Sequence, residues 1–120
     1  MKIVSEYRER GFIILRALFD PALVEQALRE ALALRQRHEL ISTRNLRCRF
    51  QTNARTGECQ FETFDPVTDL SPAAGAVAHD ERLLGVLAEI YGEPACLFKD
   101  KLIYKPPGCP GYGMHQDWPI

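Results

Sequence analysis

Residues 106–113 constrain the fold of this chain more than any other feature. Six of these eight residues are proline or glycine, in the order Pro-Pro-Gly-Cys-Pro-Gly-Tyr-Gly. Proline lacks the backbone N–H that helices and sheets use, and glycine favours turns, so a run this dense predicts a loop. The segment before it, residues 95–105, is rich in apolar and β-branched or aromatic positions and predicts a long strand. The loop therefore separates a predicted strand from the final residues 114–120.

Two helices are well delimited by their end signals. In the first, Asp20 is a good N-cap and Pro21 suits the first helical position. Apolar residues then recur at helical spacing. They are Leu23, Val24, Ala27, Leu28, Ala31 and Leu34. The second predicted helix is capped by Asp80, and Gly92 followed by Pro94 ends it.

Three shorter elements are predicted from local patterns. Residues 5–10 indicate a short helix, and the apolar run at residues 11–15 indicates a buried strand. Residues 49–51 and 60–62 could pair as a hairpin around a turn at 53–57, where asparagine, threonine and glycine occur together. The sequence has no internal repeat that would suggest a solenoid or an array.

Composition limits the class of protein. The chain has 120 residues, 46% of them hydrophobic and 26% charged, which is ordinary for one soluble globular domain or part of one. A net charge of -1 gives no reason to expect nucleic acid as a partner. No apolar run approaches the roughly 18 residues of a membrane span, so no membrane partner is expected. The N-terminus carries Lys2 and is strongly charged from Glu6 onwards, which argues against a signal peptide and for a cytoplasmic location.

The cysteines predict neither a zinc site nor a disulfide framework. They are Cys48, Cys59, Cys96 and Cys109, and no two form a Cys-x-x-Cys pair. We expect four free thiols.

The candidate metal ligands of the sequence lie in the triplet His115-Gln116-Asp117. In an extended segment, residues i and i+2 point to the same face, so the imidazole and the carboxylate can converge on one point. One nitrogen and one carboxylate oxygen make two thirds of the facial triad that holds non-haem iron(II). On its own such a triplet is a weak signal, and a histidine in a turn followed by an aspartate that caps a loop is the better interpretation.

The context of the triplet resembles a known family. Residues 97–108, the glycine-rich loop and then His115-Gln116-Asp117 look like the signature of the phytanoyl-CoA dioxygenase family. Residues 7–21, with an apolar run followed by a helix entered through Asp-Pro, resemble the N-terminus of that family. The resemblance implies an α+β fold in which N-terminal helices pack on the first strands of a double-stranded β-helix, or jelly roll. That core would be incomplete in this chain.

The same resemblance implies an iron(II)- and 2-oxoglutarate-dependent dioxygenase. His115, Asp117 and a later histidine would bind iron(II), and a later arginine would bind the 2-oxoglutarate that chelates it. Dioxygen and a small-molecule substrate would react to give a hydroxylated product, succinate and carbon dioxide. Relatives that halogenate usually carry a small residue at the aspartate position, so Asp117 favours hydroxylation. Trp118 could line the substrate pocket or belong to the core.

The strand before the loop offers candidate 2-oxoglutarate contacts. Lys99, Lys101 and Ile103 share one face of the predicted strand. Family members frequently carry an asparagine for 2-oxoglutarate at the position that Ile103 occupies, so we assign the contact to Lys101, with Lys99 beside it. The alternative is that both lysines are exposed edge charges. The arginines within residues 44–55 form either a solvated loop or a site for an anionic group on the substrate.

We expect residues 1–120 to be the N-terminal part of a single oxygenase domain, with support in 1–94 and the first core strands and the metal motif in 95–120. A whole domain of this kind would have about 250–300 residues, and downstream residues or another chain would complete it. The chain alone would then be inactive. Two alternatives are open: a non-catalytic binding module that lost the metal, and a helical interaction domain that uses residues 20–38. His38 and His79 are expected at the surface.

Overall fold

The computed structural model describes residues 2–115. Within this range it contains four helices and three strands. In chain order they are α1 (Lys2–Arg10), α2 (Pro21–Arg35), β1 (Cys48–Thr52), β2 (Cys59–Phe64), α3 (Pro72–Ala78), α4 (Glu81–Tyr91) and β3 (Leu102–Ile103). Helix α1 packs against α4, and α2 packs against α3. No helix in residues 2–115 is long and apolar enough to cross a membrane.

Both well-delimited helices are confirmed. The Asp20 carboxylate accepts a hydrogen bond of 2.8 Å from the Ala22 N–H, which satisfies one of the unpaired donors at the start of α2. The Asp80 carboxylate caps α4 in the same way through the Arg82 N–H at 2.9 Å. Gly92 ends α4 with left-handed backbone, at φ 79°. Of the predicted apolar stripe on α2, Leu34 is buried, whereas Val24 and Leu28 are exposed.

The predicted hairpin is confirmed and forms the centre of an open sheet. Strands β1 and β2 pair antiparallel from Cys48 opposite Phe64 to Thr52 opposite Cys59. Strand β3 adds to the free edge of β2, also antiparallel, so the strand order is β1-β2-β3. The fold is therefore mixed helix and sheet, as expected, with a sheet that does not close. The jelly-roll core stays a prediction.

Two strand predictions are wrong and one helix was missed. Residues 11–15 form no strand, because Gly11 takes a φ of 76° after α1 and Phe12 and Ile14 lie exposed without a partner strand in the described residues. Residues 95–105 form a strand only at Leu102–Ile103, since β2 ends at Phe64 and offers no longer edge. Helix α3 was not predicted from the sequence, because its small residues, Pro-Ala-Ala-Gly-Ala, form no apolar stripe at helical spacing.

The core lies on one face of the sheet. Its buried apolar residues Leu34, Cys48, Phe64 and Val67 join α2 to β1 and β2. Tyr104 packs against the same cluster, and its hydroxyl donates a hydrogen bond to the Ala31 carbonyl on α2. The four cysteines are free thiols, as predicted.

Candidate functional site

A cleft of about 270 Å³ lies on the face of the sheet opposite the core. Arg49 and Thr63, which pair across β1 and β2, alternate with the core residues Cys48 and Phe64 and so point towards this face. The cleft brings together side chains from both strands, from the segment before β3 and from the proline- and glycine-rich loop. Its charged lining residues are Arg49, Glu62, Asp65, Lys99 and Lys101, and Tyr112 also lines it.

A β-bulge sets the position of Glu62. Arg49 pairs with Thr63 while the next residue, Phe50, pairs with Phe61, so Glu62 is an extra residue without a partner in β1. Its side chain is fully buried, at 0% exposure. The carboxylate accepts hydrogen bonds from the Lys105 ammonium at 2.9 Å and from the Tyr112 hydroxyl at 3.4 Å.

The carboxylate of Glu62 has an electrostatic effect on its partner. The hydrogen bond that it accepts raises the pKa of Lys105, because the ammonium form is the one that it stabilises. The same ammonium lies 4.5 Å from the centre of the Tyr112 ring, a cation–π contact. Through Glu62, the hairpin therefore binds one residue at each end of the loop that precedes His115: Lys105 before the loop and Tyr112 near its end.

A second set of contacts fixes the middle of this loop. Asn53 is buried at the start of the hairpin turn, and its amide donates to the Pro107 carbonyl at 2.9 Å. The Ala54 N–H donates to the Gly108 carbonyl, also at 2.9 Å. Gly108 has a φ of 93°, and a Cβ there would lie 2.3 Å from the Asn53 Oδ1. Only glycine fits this close approach.

The two lysines of the predicted 2-oxoglutarate site differ in their surroundings. The Lys99 ammonium lies 3.1 Å from a carboxylate oxygen of Asp65, which is mostly buried. Lys101 is exposed, lines the same cleft and has no carboxylate partner among residues 2–115. The structure thus brings both lysines to one cleft, and Lys101 is the one whose charge is not already compensated.

His115 is the last described residue, and it is exposed. Its Nδ1 lies 2.7 Å from the Gly113 carbonyl oxygen. This contact fits a tautomer with the proton on Nδ1 and the lone pair on Nε2, which is how histidine ligands are commonly oriented. Asp117 and Trp118 lie outside the described residues. No group of three potential metal ligands converges within residues 2–115.

Asp100 has a structural role that the sequence did not reveal. Its carboxylate accepts hydrogen bonds from the N–H groups of Val67 at 2.6 Å and Thr68 at 2.9 Å. Burial raises the pKa of this carboxyl, but the three hydrogen bonds that it accepts outweigh burial, and the pKa lies below its usual value. The contacts tie the segment before β3, which carries both lysines, to the turn after β2.

The remaining charged candidates lie elsewhere. His38 and His79 are exposed, as predicted. Arg47 forms a two-pronged ion pair with Asp69, at 2.5 and 2.7 Å, and this contact lowers the pKa of the aspartate. Of the basic stretch, Arg49 is the arginine that lines the cleft.

The described residues thus form an open three-stranded sheet with a charged cleft, and the loop beside this cleft leads to His115. The chain belongs to the phytanoyl-CoA dioxygenase (PhyH) family, whose model matches residues 7–120. It is 29% identical over 118 residues to a 2-aminoethylphosphonate dioxygenase from Uncultured bacterium HF130_AEPn_1. That match covers 96% of this chain and 43% of the relative, so the chain spans less than half of the relative's length. No solved structure matches the chain.

Proposed function

We propose that the whole protein is an iron(II)- and 2-oxoglutarate-dependent dioxygenase that hydroxylates a small molecule and releases succinate and carbon dioxide. The observation that carries the proposal is the family match over residues 7–120, because it includes the His115-Gln116-Asp117 motif. The identity to a dioxygenase along 96% of the chain supports the same conclusion.

In this proposal His115 and Asp117 are two of the three protein ligands of the iron, and a later histidine is the third. Bound iron would supply the activation of dioxygen that is coupled to decarboxylation of 2-oxoglutarate. In a ligand role, the contact of His115 Nδ1 with the Gly113 carbonyl would orient the ring, and Nε2 would be the nitrogen that binds the metal. Residues 1–120 would form the N-terminal part of the domain, and the remainder of that domain would complete the site.

The cleft over the sheet is proposed to hold 2-oxoglutarate. Lys101 would contact the dicarboxylate, because its ammonium has no carboxylate partner in the described residues and would attract one. Lys101 also lines the same cleft as Tyr112, which lies in the loop that leads to His115. Lys99 would lie beside it, with its charge partly balanced by Asp65. The buried pair of Glu62 and Lys105 would keep the loop end of the cleft in place.

We also propose an organophosphonate as the substrate class. The relative is named for 2-aminoethylphosphonate. A phosphonate carries negative charge at neutral pH, and three cationic side chains line the cleft. We also propose a cytoplasmic location, where the co-substrate 2-oxoglutarate would be available.

Succinate formation tests the proposal. The full-length protein, supplied with iron(II), 2-oxoglutarate and 2-aminoethylphosphonate in air, should form succinate, and omission of iron should stop it. His115→Ala should lower the rate at least about 100-fold, since loss of a metal-orienting group alone costs 10–100-fold. His79→Ala is the matched control, because His79 is an exposed histidine at the end of α3 and should keep full activity. Equal rates for the two variants, or no iron-dependent succinate, would overturn the proposal.

A further inference from the structure

We propose that Arg49 recognises an anionic group, a phosphonate or a carboxylate, on the substrate that is oxidised, while Lys101 serves 2-oxoglutarate. The inference rests on the proposed function and deepens it by assigning the substrate subsite. Arg49 lies on β1 and lines the cleft together with both lysines of the segment before β3.

The charge balance of the cleft points to an anionic ligand. Three cations and two carboxylates line it. Each carboxylate already has a lysine partner, since Glu62 binds Lys105 at 2.9 Å and Asp65 binds Lys99 at 3.1 Å. Neither Arg49 nor Lys101 forms an ion pair with a carboxylate in the described part of the chain. Two uncompensated positive charges on one cleft match two anionic ligands.

The geometry of Arg49 suits an oxyanion. One nitrogen of its guanidinium donates to the Leu46 carbonyl at 2.6 Å, which restrains the side chain. A restrained guanidinium offers its remaining N–H groups as a planar fork, and such a fork binds a phosphonate or carboxylate through two oxygens. Lys101, with its single ammonium on a flexible chain, lacks this geometry.

The other arginines of the basic stretch do not share this position. Arg47 is bound to Asp69 through two oxygens. Arg44 and Arg55 are exposed and do not line the cleft. Of the arginines in residues 44–55, Arg49 is therefore the candidate for binding an anionic group of the substrate. Arg55, which does not line the cleft, provides a matched control.

The experiment measures binding without turnover. The metal-free full-length protein is titrated with methylphosphonate, followed by phosphorus NMR line broadening, and separately with acetate, followed by saturation-transfer NMR. Arg49→Gln should weaken binding of the preferred anion at least about tenfold, the loss expected for a charge-assisted hydrogen-bonded pair. Arg49→Lys, which keeps the charge and loses the fork, should fall between. Arg55→Gln should change the affinity less than about twofold.

Preference for methylphosphonate over acetate would assign the subsite to phosphonates, and the reverse preference would assign it to carboxylates. The inference is overturned if the wild-type protein binds neither anion, or if Arg49→Gln and Arg55→Gln behave alike. It is also overturned if Arg49→Gln weakens 2-oxoglutarate as much as the preferred anion. The anion titrations contain no metal, so they are independent of the succinate assay. If the protein forms no succinate but binds the anion through Arg49, the proposed function is wrong and the anion-binding site at Arg49 is confirmed.

Discussion

Replacing Gly108 with alanine tests the contact that holds the proline- and glycine-rich loop on the hairpin. Gly108 has a φ of 93°, which an L-residue with a side chain rarely adopts. The added Cβ would lie 2.3 Å from Oδ1 and 2.9 Å from Cγ of Asn53. Asn53 is buried at 3% exposure and its amide donates to Gln60 and to the Pro107 carbonyl, so a shift of its side chain would break these contacts.

Two costs add in this variant. Holding alanine in left-handed backbone costs about 1–2 kcal/mol. Displacing the Asn53 amide breaks its hydrogen bond to the Pro107 carbonyl and leaves buried polar groups unpaired, at about 1–3 kcal/mol. We therefore expect Gly108→Ala to lower the free energy of unfolding by about 2–5 kcal/mol.

Denaturant unfolding of the full-length protein measures this loss. Gly111→Ala is the matched control in the same loop, because a Cβ there meets nothing within 4 Å and the φ of Gly111 is not positive. It should change the free energy of unfolding by less than about 1 kcal/mol in either direction. A Gly108→Ala variant as stable as Gly111→Ala would refute the close approach of Gly108 to Asn53.

Three further predictions concern buried polar contacts. Glu62→Gln removes the buried anion that Lys105 binds, and it should lower the thermal unfolding midpoint more than Glu58→Gln at the exposed hairpin tip. Asp100→Asn should cost about 1–3 kcal/mol at pH 7 by denaturant unfolding. The folded-state pKa of Asp100 is lowered, so its contribution is full above the unfolded pKa of about 3.9. That contribution is lost as the pH falls through the lower folded value, so the stability difference between variant and wild type should shrink as the pH falls below the unfolded value. Tyr104→Phe keeps the ring and loses the hydroxyl bond to α2, so it should cost about 1 kcal/mol in the same assay, and a neutral result would count against that bond.

The elements that could be predicted from the sequence are those whose ends are marked by capping or turn residues close by in the chain. The caps at Asp20 and Asp80 placed the starts of α2 and α4, and the turn residues between 53 and 57 placed the hairpin. The strand at residues 11–15 was wrong because an apolar run becomes a strand only where another strand is available to pair with it. Residues 95–105 show the same limit, since their pairing stops where the edge of β2 stops.

The candidate site was predicted in part. Lys99 and Lys101 line one cleft although the segment that carries them is not the strand that the sequence predicted, and their role towards 2-oxoglutarate stays a prediction. Glu62 could not be found from sequence, because a glutamate in a short hairpin strand is expected to face solvent and the bulge that buries it has no sequence marker here. Arg49 could be found only as one of several arginines until the sheet placed it on the cleft.

The most direct test of the central claim is an anaerobic titration of the full-length protein with iron(II) and 2-oxoglutarate, followed by visible absorbance. The account predicts a weak charge-transfer band that requires both additions. It predicts loss of the band in His115→Ala and its retention in His79→Ala. Absence of the band from the wild-type protein, or its persistence in His115→Ala, would contradict the assignment of His115 as an iron ligand.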